Sequence, residues 1–258
     1  MKGKGITGSG LKKIAMVAML IDHIGATIFA RMLMATGLNE LDKTNTDAVM
    51  AWVSENADVY GAYTFFRMIG RIAFPIFCFL LVEGFLHTRD KKKYAIRLAA
   101  FALISEIPFD LAFQSKVLEF TYQNVFFTLA IGFGTLIAYK MVEEKEFQNR
   151  FTKILVQILV GMIGMFAAQF LRTDYGAVGV MAIVLFYVIR DNRFYQIASG
   201  CILFMQEITA LFAFLPILAY NGKRGSNVKW AFYIFYPAHL LILFGICYFM
   251  GLAGYSAI

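Results

Sequence analysis

Charge is what this sequence has least of. Lysine, arginine, aspartate and glutamate make up 16% of its 258 residues, against 60% hydrophobic ones. A soluble domain carries about 25% charged residues. Such a chain cannot cover a globular surface with polar groups, so a water-solvated domain is excluded and lipid is the expected solvent. Cysteine is sparse as well. Cys78, Cys201 and Cys247 each lie inside an apolar run, with no disulfide framework and no zinc spacing, and read as buried thiols. The GxxxxGK[ST] phosphate loop is missing. Short segments of alternating polarity, which a membrane β-barrel needs, are missing too. There is no internal repeat, no low-complexity tract and no soluble domain, and the inverted repeats common in secondary transporters are not evident. A cleavable signal is not expected, because the first apolar run, Ile14 to Ala35, is too long for a signal core.

What is present is a series of long apolar runs. Nine are read, at 12–35, 64–87, 95–113, 123–141, 154–171, 175–189, 195–206, 208–221 and 230–252. They predict an all-α, polytopic transmembrane bundle of about nine spans, forming one integral-membrane domain over residues 1–258. The sixth to eighth runs are shorter than a standard span. The seventh and eighth, Tyr195–Met205 and Ile208–Tyr220, are open to being tilted, broken or re-entrant.

The net charge of +7 does not point to nucleic acid, because the cations fall between the apolar runs. With the N-terminus inside, the inner loops hold Lys2, Lys4, Lys12, Lys13, Arg89, Lys91, Lys92, Lys93, Arg97, Lys140, Lys145, Arg150, Lys153, Arg190, Arg193, Lys223, Arg224 and Lys229. The outer side keeps Lys43, Lys116 and Arg172, with Arg31 at the end of the first span, and its longest loop carries Glu40, Asp42, Asp47, Glu55 and Asp58. The positive-inside rule therefore predicts a cytoplasmic N-terminus and an outer C-terminus.

Ionisable residues inside spans are costly and mark function by default. Here they are Asp22, His23, Arg67, Arg71, Glu83, Glu106, Asp110 and His239. At about 1.5 Å per helical residue, His23, His239 and Glu106 each lie roughly 14–15 Å from the inner face, and Arg71 descends from the outer side into the same zone. Asp22 and His23 are adjacent, so they point about 100° apart and are not a ready-made acid–base pair. An arginine of the second span is the expected partner of Asp22. The spacings of Arg67 with Arg71 and of Glu106 with Asp110 put each pair on one face, so these charges are expected to neutralise one another. A purely structural network is the plain alternative. Histidine at mid-depth, which titrates near neutral pH, argues for proton transfer instead.

At the inner end, Glu83 and His87 share a face and run into Arg89-Asp-Lys-Lys-Lys93; Asn221-Gly-Lys-Arg-Gly225 is a second cationic loop. Both read as topology anchors or as a phosphate-binding mouth.

Leu11-Lys-Lys-Ile-Ala and Met19-Leu-Ile-Asp-His-Ile-Gly25 resemble the opening of the TraX family. So do Gly70-Arg-Ile-Ala-Phe-Pro-Ile-Phe77, Glu83-Gly-Phe85, Lys93-Tyr-Ala-Ile-Arg-Leu98, Ser105-Glu-Ile-Pro-Phe109 and Asn124-Val-Phe-Phe-Thr-Leu129. Asp174-Tyr-Gly-Ala-Val-Gly179, Tyr220-Asn-Gly-Lys-Arg-Gly225 and Tyr233-Ile-Phe-Tyr-Pro-Ala-His-Leu240 continue it in order, so that the resemblance covers nearly the whole chain. That family is named for a conjugative-plasmid protein needed for N-terminal acetylation of pilin. It is distantly similar to integral-membrane acyltransferases with a first-helix histidine, matched here by His23. The resemblance implies a multi-pass protein of the bacterial cytoplasmic membrane. It would move acetyl from cytosolic acetyl-CoA to an amine or hydroxyl of a peptide or carbohydrate acceptor outside. Its partners would be membrane lipid, acetyl-CoA and that acceptor. His23, Asp22, Arg71, Glu106 and His239 are the expected catalytic group. Glu83, His87, Arg89, Lys93, Asn221, Lys223, Arg224 and Tyr236 are expected to hold the donor, with Tyr236 or Arg71 facing a developing oxyanion. A ping-pong route through acetyl-histidine is the alternative to direct attack. A proton-coupled transporter and a structural accessory protein are the readings from other classes.

Overall fold

A computed structural model describes residues 5–226 and 229–257. Lys2 and Lys4, counted above as inner cations, lie outside the described residues, as does the side chain of Lys229. Among the described residues the regular structure is helical, with isolated bridges at Ile6–Tyr220 and Gln123–Thr173.

Helix α1 (Gly8–Ile24) opens on Thr7, whose hydroxyl accepts from the Gly10 N–H. It runs through a π turn, Gly25–Phe29, into α2 (Ala30–Ala35). Gly25 is at a close helix crossing: a β-carbon there would lie 2.8 Å from Cβ of Phe66. After α3 (Thr46–Glu55) come α4 (Ala57–Gly70) and α5 (Ala73–His87), one apolar stretch interrupted at Arg71–Ile72. Helices α6 (Lys91–Gln114), α7 (Val125–Glu144) and α8 (Arg150–Phe170) start on Asp90, Asn124 and Asn149, whose side chains accept first-turn N–H groups. At Asp90 the backbone N–H of Lys93 and then its ammonium hold the carboxyl below its ordinary pKa. Then follow α9 (Gly176–Val188), α10 (Arg193–Leu203), a 3₁₀ turn at Ile208–Ala213, α11 (Phe214–Leu218) and α12 (Lys229–Phe249).

Among the described residues, five helical stretches are long and apolar enough to cross a membrane: Gly8–Ala35, Ala57–His87, Val125–Glu144, Arg150–Phe170 and Trp230–Phe249. Helix α6 has 24 residues, enough length, but carries the charges already noted. Of the roughly nine expected spans, the seventh and eighth segments are the ones left open to being broken or re-entrant. Helix α10 has 11 residues and rises about 16 Å, roughly half of a bilayer core. The chain turns at Met205–Glu207 and comes back through the 3₁₀ turn and α11 to Tyr220, which pairs with Ile6 beside the start of α1. These two segments form a hairpin that enters the bundle and leaves at the same end.

That end gathers residues 5–9, 87–94 and 219–226: Gly8 and Ser9 donate their N–H groups to the Lys223 and Arg224 carbonyls. The opposite end is tied by Arg31, which donates to the carbonyls of Leu111 and Tyr255 and to Ser115, and by the Ala257 N–H on the Phe113 carbonyl. The core between them is built from α5, α6, α7, α9 and α12 around Phe74, Phe85, Phe126, Phe133, Phe186 and Tyr236. Helix α8 is peripheral and exposes Ile158, Leu159, Met162, Ile163 and Phe166, a face suited to lipid.

Candidate functional site

Several of the chemistry-bearing residues gather in two neighbouring places. The first is a cavity of about 630 Å³ at the end where α1 begins. Gly8, Ser9 and Lys12 of α1 form one wall; Glu83, His87 and Arg89 a second; Tyr94 and Arg97 of α6 a third; Tyr220 and Arg224 a fourth. Its inner wall is apolar: Phe77, Leu129 and Phe232. The Lys12 ammonium lies 5.1 Å from the centre of the Phe232 ring, and the Arg97 guanidinium 5.5 Å from that of Tyr94. Glu83 faces Arg193 at 4.0 Å and is hydrogen-bonded by Tyr220, so its charge is engaged by the hairpin. His87 is hydrogen-bonded through Nδ1 to the Glu83 carbonyl at 2.8 Å.

Of the residues expected to hold a donor, Glu83, His87, Arg89 and Arg224 line this cavity. Four others do not. Lys93 is turned outward and paired with Asp90 at 3.3 Å. Asn221 donates to the Gly5 carbonyl and accepts from the Lys223 N–H, which makes it a loop brace. Lys223 is exposed and off the lining. Tyr236 is a full turn deeper, at the second place. Lys12, Arg97, Tyr94 and Tyr220 are not singled out as site residues by the sequence alone. Lys12 has a signal there: it lies eleven residues before His23, which is three helical turns, so both share one face of α1.

The second place is the histidine pair. His23 Nδ1 and His239 Nε2 are 2.6 Å apart with their rings nearly coplanar. His239 Nδ1 is 2.7 Å from the Phe235 carbonyl oxygen, one turn back on α12. A carbonyl only accepts, so the His239 proton is on Nδ1 and its Nε2 carries the lone pair. His23 must then donate from Nδ1, which leaves its own Nε2 as the free base. His239 is buried, 4% exposed, while His23 is partly open. Tyr236 and Phe113 meet the His23 ring edge-on, with centroids at 6.0 and 5.5 Å. The π turn begins two residues after His23, and Thr27 within it donates to the His23 carbonyl. Local widening of a helix of this kind recurs at functional sites.

Asp22 faces away from this pair, as adjacency requires, and binds Arg67 at 2.5 Å. The expected second-span arginine is therefore Arg67. Arg71 is directed elsewhere: it pairs with Glu207 at the tip of the hairpin, at 3.3 Å, and shares a hydrogen bond with Tyr175. The expected neutralisation of Glu106 and Asp110 by arginine is corrected too. Glu106 accepts from the side chain and backbone N–H of Asn124. Asp110 accepts from the Glu119 N–H at 2.8 Å. Neither forms an ion pair among the described residues, and neither hydrogen-bonds to a histidine. Both are answered by polar groups of the 115–124 segment, whose fold no periodicity announces. No group of three His, Cys, Asp or Glu side chains suited to a metal ion occurs among the described residues.

The chain is 28% identical to the "Probable fimbrial assembly protein FimC, serogroup H1" of Dichelobacter nodosus, over 90% of this chain and 92% of that protein. It is 23% identical to an uncharacterised protein of Rickettsia prowazekii (strain Madrid E), over 71% of this chain and 56% of the relative. No solved structure matches it. The TraX protein family matches residues 7–247, nearly the whole length, and the chain belongs to that family.

Proposed function

We propose that this protein is a membrane acetyltransferase that takes acetyl from cytosolic acetyl-CoA and passes it to an amine or hydroxyl presented from the other side of the membrane. The single observation that carries the reading is the hydrogen-bonded order His23–His239–Phe235, which leaves a lone pair on His23 Nε2 at the centre of the bundle. Family membership supports transferase chemistry, and a relative named for fimbrial assembly makes a pilin-like peptide amine a natural acceptor.

The cavity suits the nucleotide end of the donor. Lys12, Arg89, Arg97 and Arg224 supply cations for phosphate, and Tyr94, Tyr220 and Tyr233 supply faces for a base. The cationic loops cluster at this end, which the positive-inside rule assigns to the cytoplasm. His23 is eleven residues from Lys12, about 16 Å along α1, and an extended pantetheine arm of several peptide-like units covers about 15–20 Å.

In the reaction, His23 Nε2 takes the proton from the acceptor N–H or O–H as that atom attacks the thioester carbonyl. His239 accepts the Nδ1–H hydrogen bond throughout and stabilises the imidazolium that forms. The C–S bond then breaks, and the thiolate recovers the proton from His23 Nε2. The Tyr236 ring lies edge-on to His23, and its hydroxyl would stabilise an oxyanion within its reach.

The test uses purified protein in lipid nanodiscs, acetyl-CoA and a thiol reagent, with and without a pilin-like peptide. Thiol release that depends on His23, with a 42 Da gain on the peptide expected for about one acetyl group, supports the reading. Unchanged thiol release in His23→Ala overturns it. Ion-dependent uptake with no thiol release would point to a proton-coupled transporter.

A further inference from the structure

The histidine pair is not part of the cavity lining; a layer of contacting aromatic rings lies between the two. Phe232 and Phe77 form its near side, with ring centroids 5.1 Å apart. Phe126 lies behind, fully buried, 5.7 Å from Phe232 and 5.0 Å from Tyr236. Tyr236 closes the far side and meets His23 and His239 at 6.0 and 5.7 Å. On α12, Phe232, Tyr236 and His239 are spaced by four and seven residues and share one face, so the partition is about 10 Å deep from Phe232 to His239.

We propose that Phe232 and Phe126 in this partition are the residues that select the acyl group, admitting two carbons and rejecting longer chains. The inference rests on the acyl-CoA reading above. For transfer, the thioester carbonyl must come within about 3–3.5 Å of the attacking atom, which means it must enter the layer these rings now fill. The two rings differ in freedom. Phe232 borders the cavity and carries the Lys12 ammonium on its face. An anion that draws Lys12 toward itself removes that contact, and the ring can swing into the cavity. Phe126 has no such space: Phe101, Phe232, Tyr233 and Tyr236 surround it. Phe232 is therefore the door and Phe126 the stop. An acetyl methyl is accommodated beyond the carbonyl when Phe232 moves. Each further methylene must displace Phe126 or Tyr236, and packed apolar sites discriminate one methylene by about 10–200-fold.

The experiment measures thiol release by the purified full chain from acetyl-, propionyl-, butyryl- and hexanoyl-CoA, with water and with hydroxylamine as small nucleophiles. In each case the acyl–sulfur bond breaks, an acyl–oxygen or acyl–nitrogen bond forms, and the nucleophile's proton ends on the CoA thiolate. The expected result is a fall of at least about tenfold per added methylene in the wild type. Phe126→Leu and Phe232→Leu should raise the butyryl-to-acetyl ratio by about tenfold or more. Phe232→Trp, which thickens the door, should lower acetyl turnover and leave butyryl undetectable. Because the leucine variants open the layer and the tryptophan variant fills it, a general folding defect cannot mimic both outcomes. Equal turnover of all four thioesters by the wild type would overturn the proposal. So would ratios unchanged in all three variants. If no acyl-CoA releases thiol at all, the acetyltransferase reading falls first, and that outcome is distinct from unchanged ratios in an active enzyme.

Discussion

The Asp22 carboxyl lies directly on Gly70: a β-carbon at position 70 would fall 2.0 to 2.3 Å from the Asp22 Oδ1, Cβ and Cγ atoms. Glycine is required there because α1 and α4 cross at that point, and the crossing sets the Asp22–Arg67 ion pair beside His23. Gly70→Ala should push Asp22 off Arg67 and destabilise the protein by about 1–3 kcal/mol, the usual range for overpacking. Gly61, on the same helix, faces open space, and a methyl added there would meet nothing within 4 Å. Gly61→Ala should raise stability by about 0.5–1 kcal/mol through helix propensity. Thermal unfolding of both variants in one detergent checks the contrast; a Gly70→Ala protein as stable as wild type would mean that the crossing is looser than described.

The histidine pair predicts an unequal response to mutation. His23→Ala should lower kcat by about 10²–10⁴-fold, the worth of a general base. On the proposed reading His239→Ala removes an acceptor, so His23 keeps its lone pair but loses its fixed tautomer. A smaller fall in kcat is expected, with little change in KM for acetyl-CoA, since His239 lies beyond the cavity. His239→Gln, which retains a hydrogen-bond acceptor near the same place, should recover part of the loss and shift the pH profile relative to His239→Ala. Equal losses in His23→Ala, His239→Ala and His239→Gln would instead indicate collapse of the site.

How much of this is legible in the sequence depends on periodicity. Depth along a helix is a count of residues, and that count puts His23 and His239 at one level, where the structure pairs them. The Asp22 partner is expected on the second span and is there, as Arg67. The same counting puts Tyr236 seven residues past Lys229, near the histidines and not in the mouth, and the eleven-residue step from Lys12 to His23 is equally readable. What cannot be counted is long-range closure. Glu207 lies in a short turn whose position at a hairpin tip depends on where the hairpin enters the bundle. Asn124 and the Glu119 N–H reach α6 from a segment without regular repeat. The partners of Arg71, Glu106 and Asp110 are therefore hidden for the same reason: each comes from a turn or loop.

The Arg71–Glu207 pair predicts that the hairpin tip and the α4–α5 break are coupled. Both side chains are about one-third exposed, 33% and 36%, so the pair should be worth about 1 kcal/mol or less. A double-mutant cycle of Arg71→Gln and Glu207→Gln measures it by thermal unfolding. Limited proteolysis at the hairpin should rise equally in either single variant and no further in the double. Additive effects would mean that the two residues act independently.

The last prediction separates the cations that line the cavity from those that merely border it. Lys12, Arg97 and Arg224 line it, whereas Lys93 and Lys223 do not. The two groups are alike by composition and would be indistinguishable if net charge at this face were all that mattered. Lys12→Ala and Arg97→Ala should each raise KM for acetyl-CoA severalfold with a smaller effect on kcat, the signature of lost uniform binding. Lys93→Ala and Lys223→Ala should change KM by less than about twofold, because exposed cations contribute little. Salt provides an internal check, since the Debye length falls to about 3 Å at 1 M. Raising ionic strength should increase the wild-type KM and narrow its difference from Lys12→Ala. Steady-state kinetics at two salt concentrations reads all of this. A KM that rises equally for every one of these variants would reduce the cavity to a diffuse positive surface, and a KM raised only by Lys93→Ala and Lys223→Ala would place the donor on the outer rim of the loops instead.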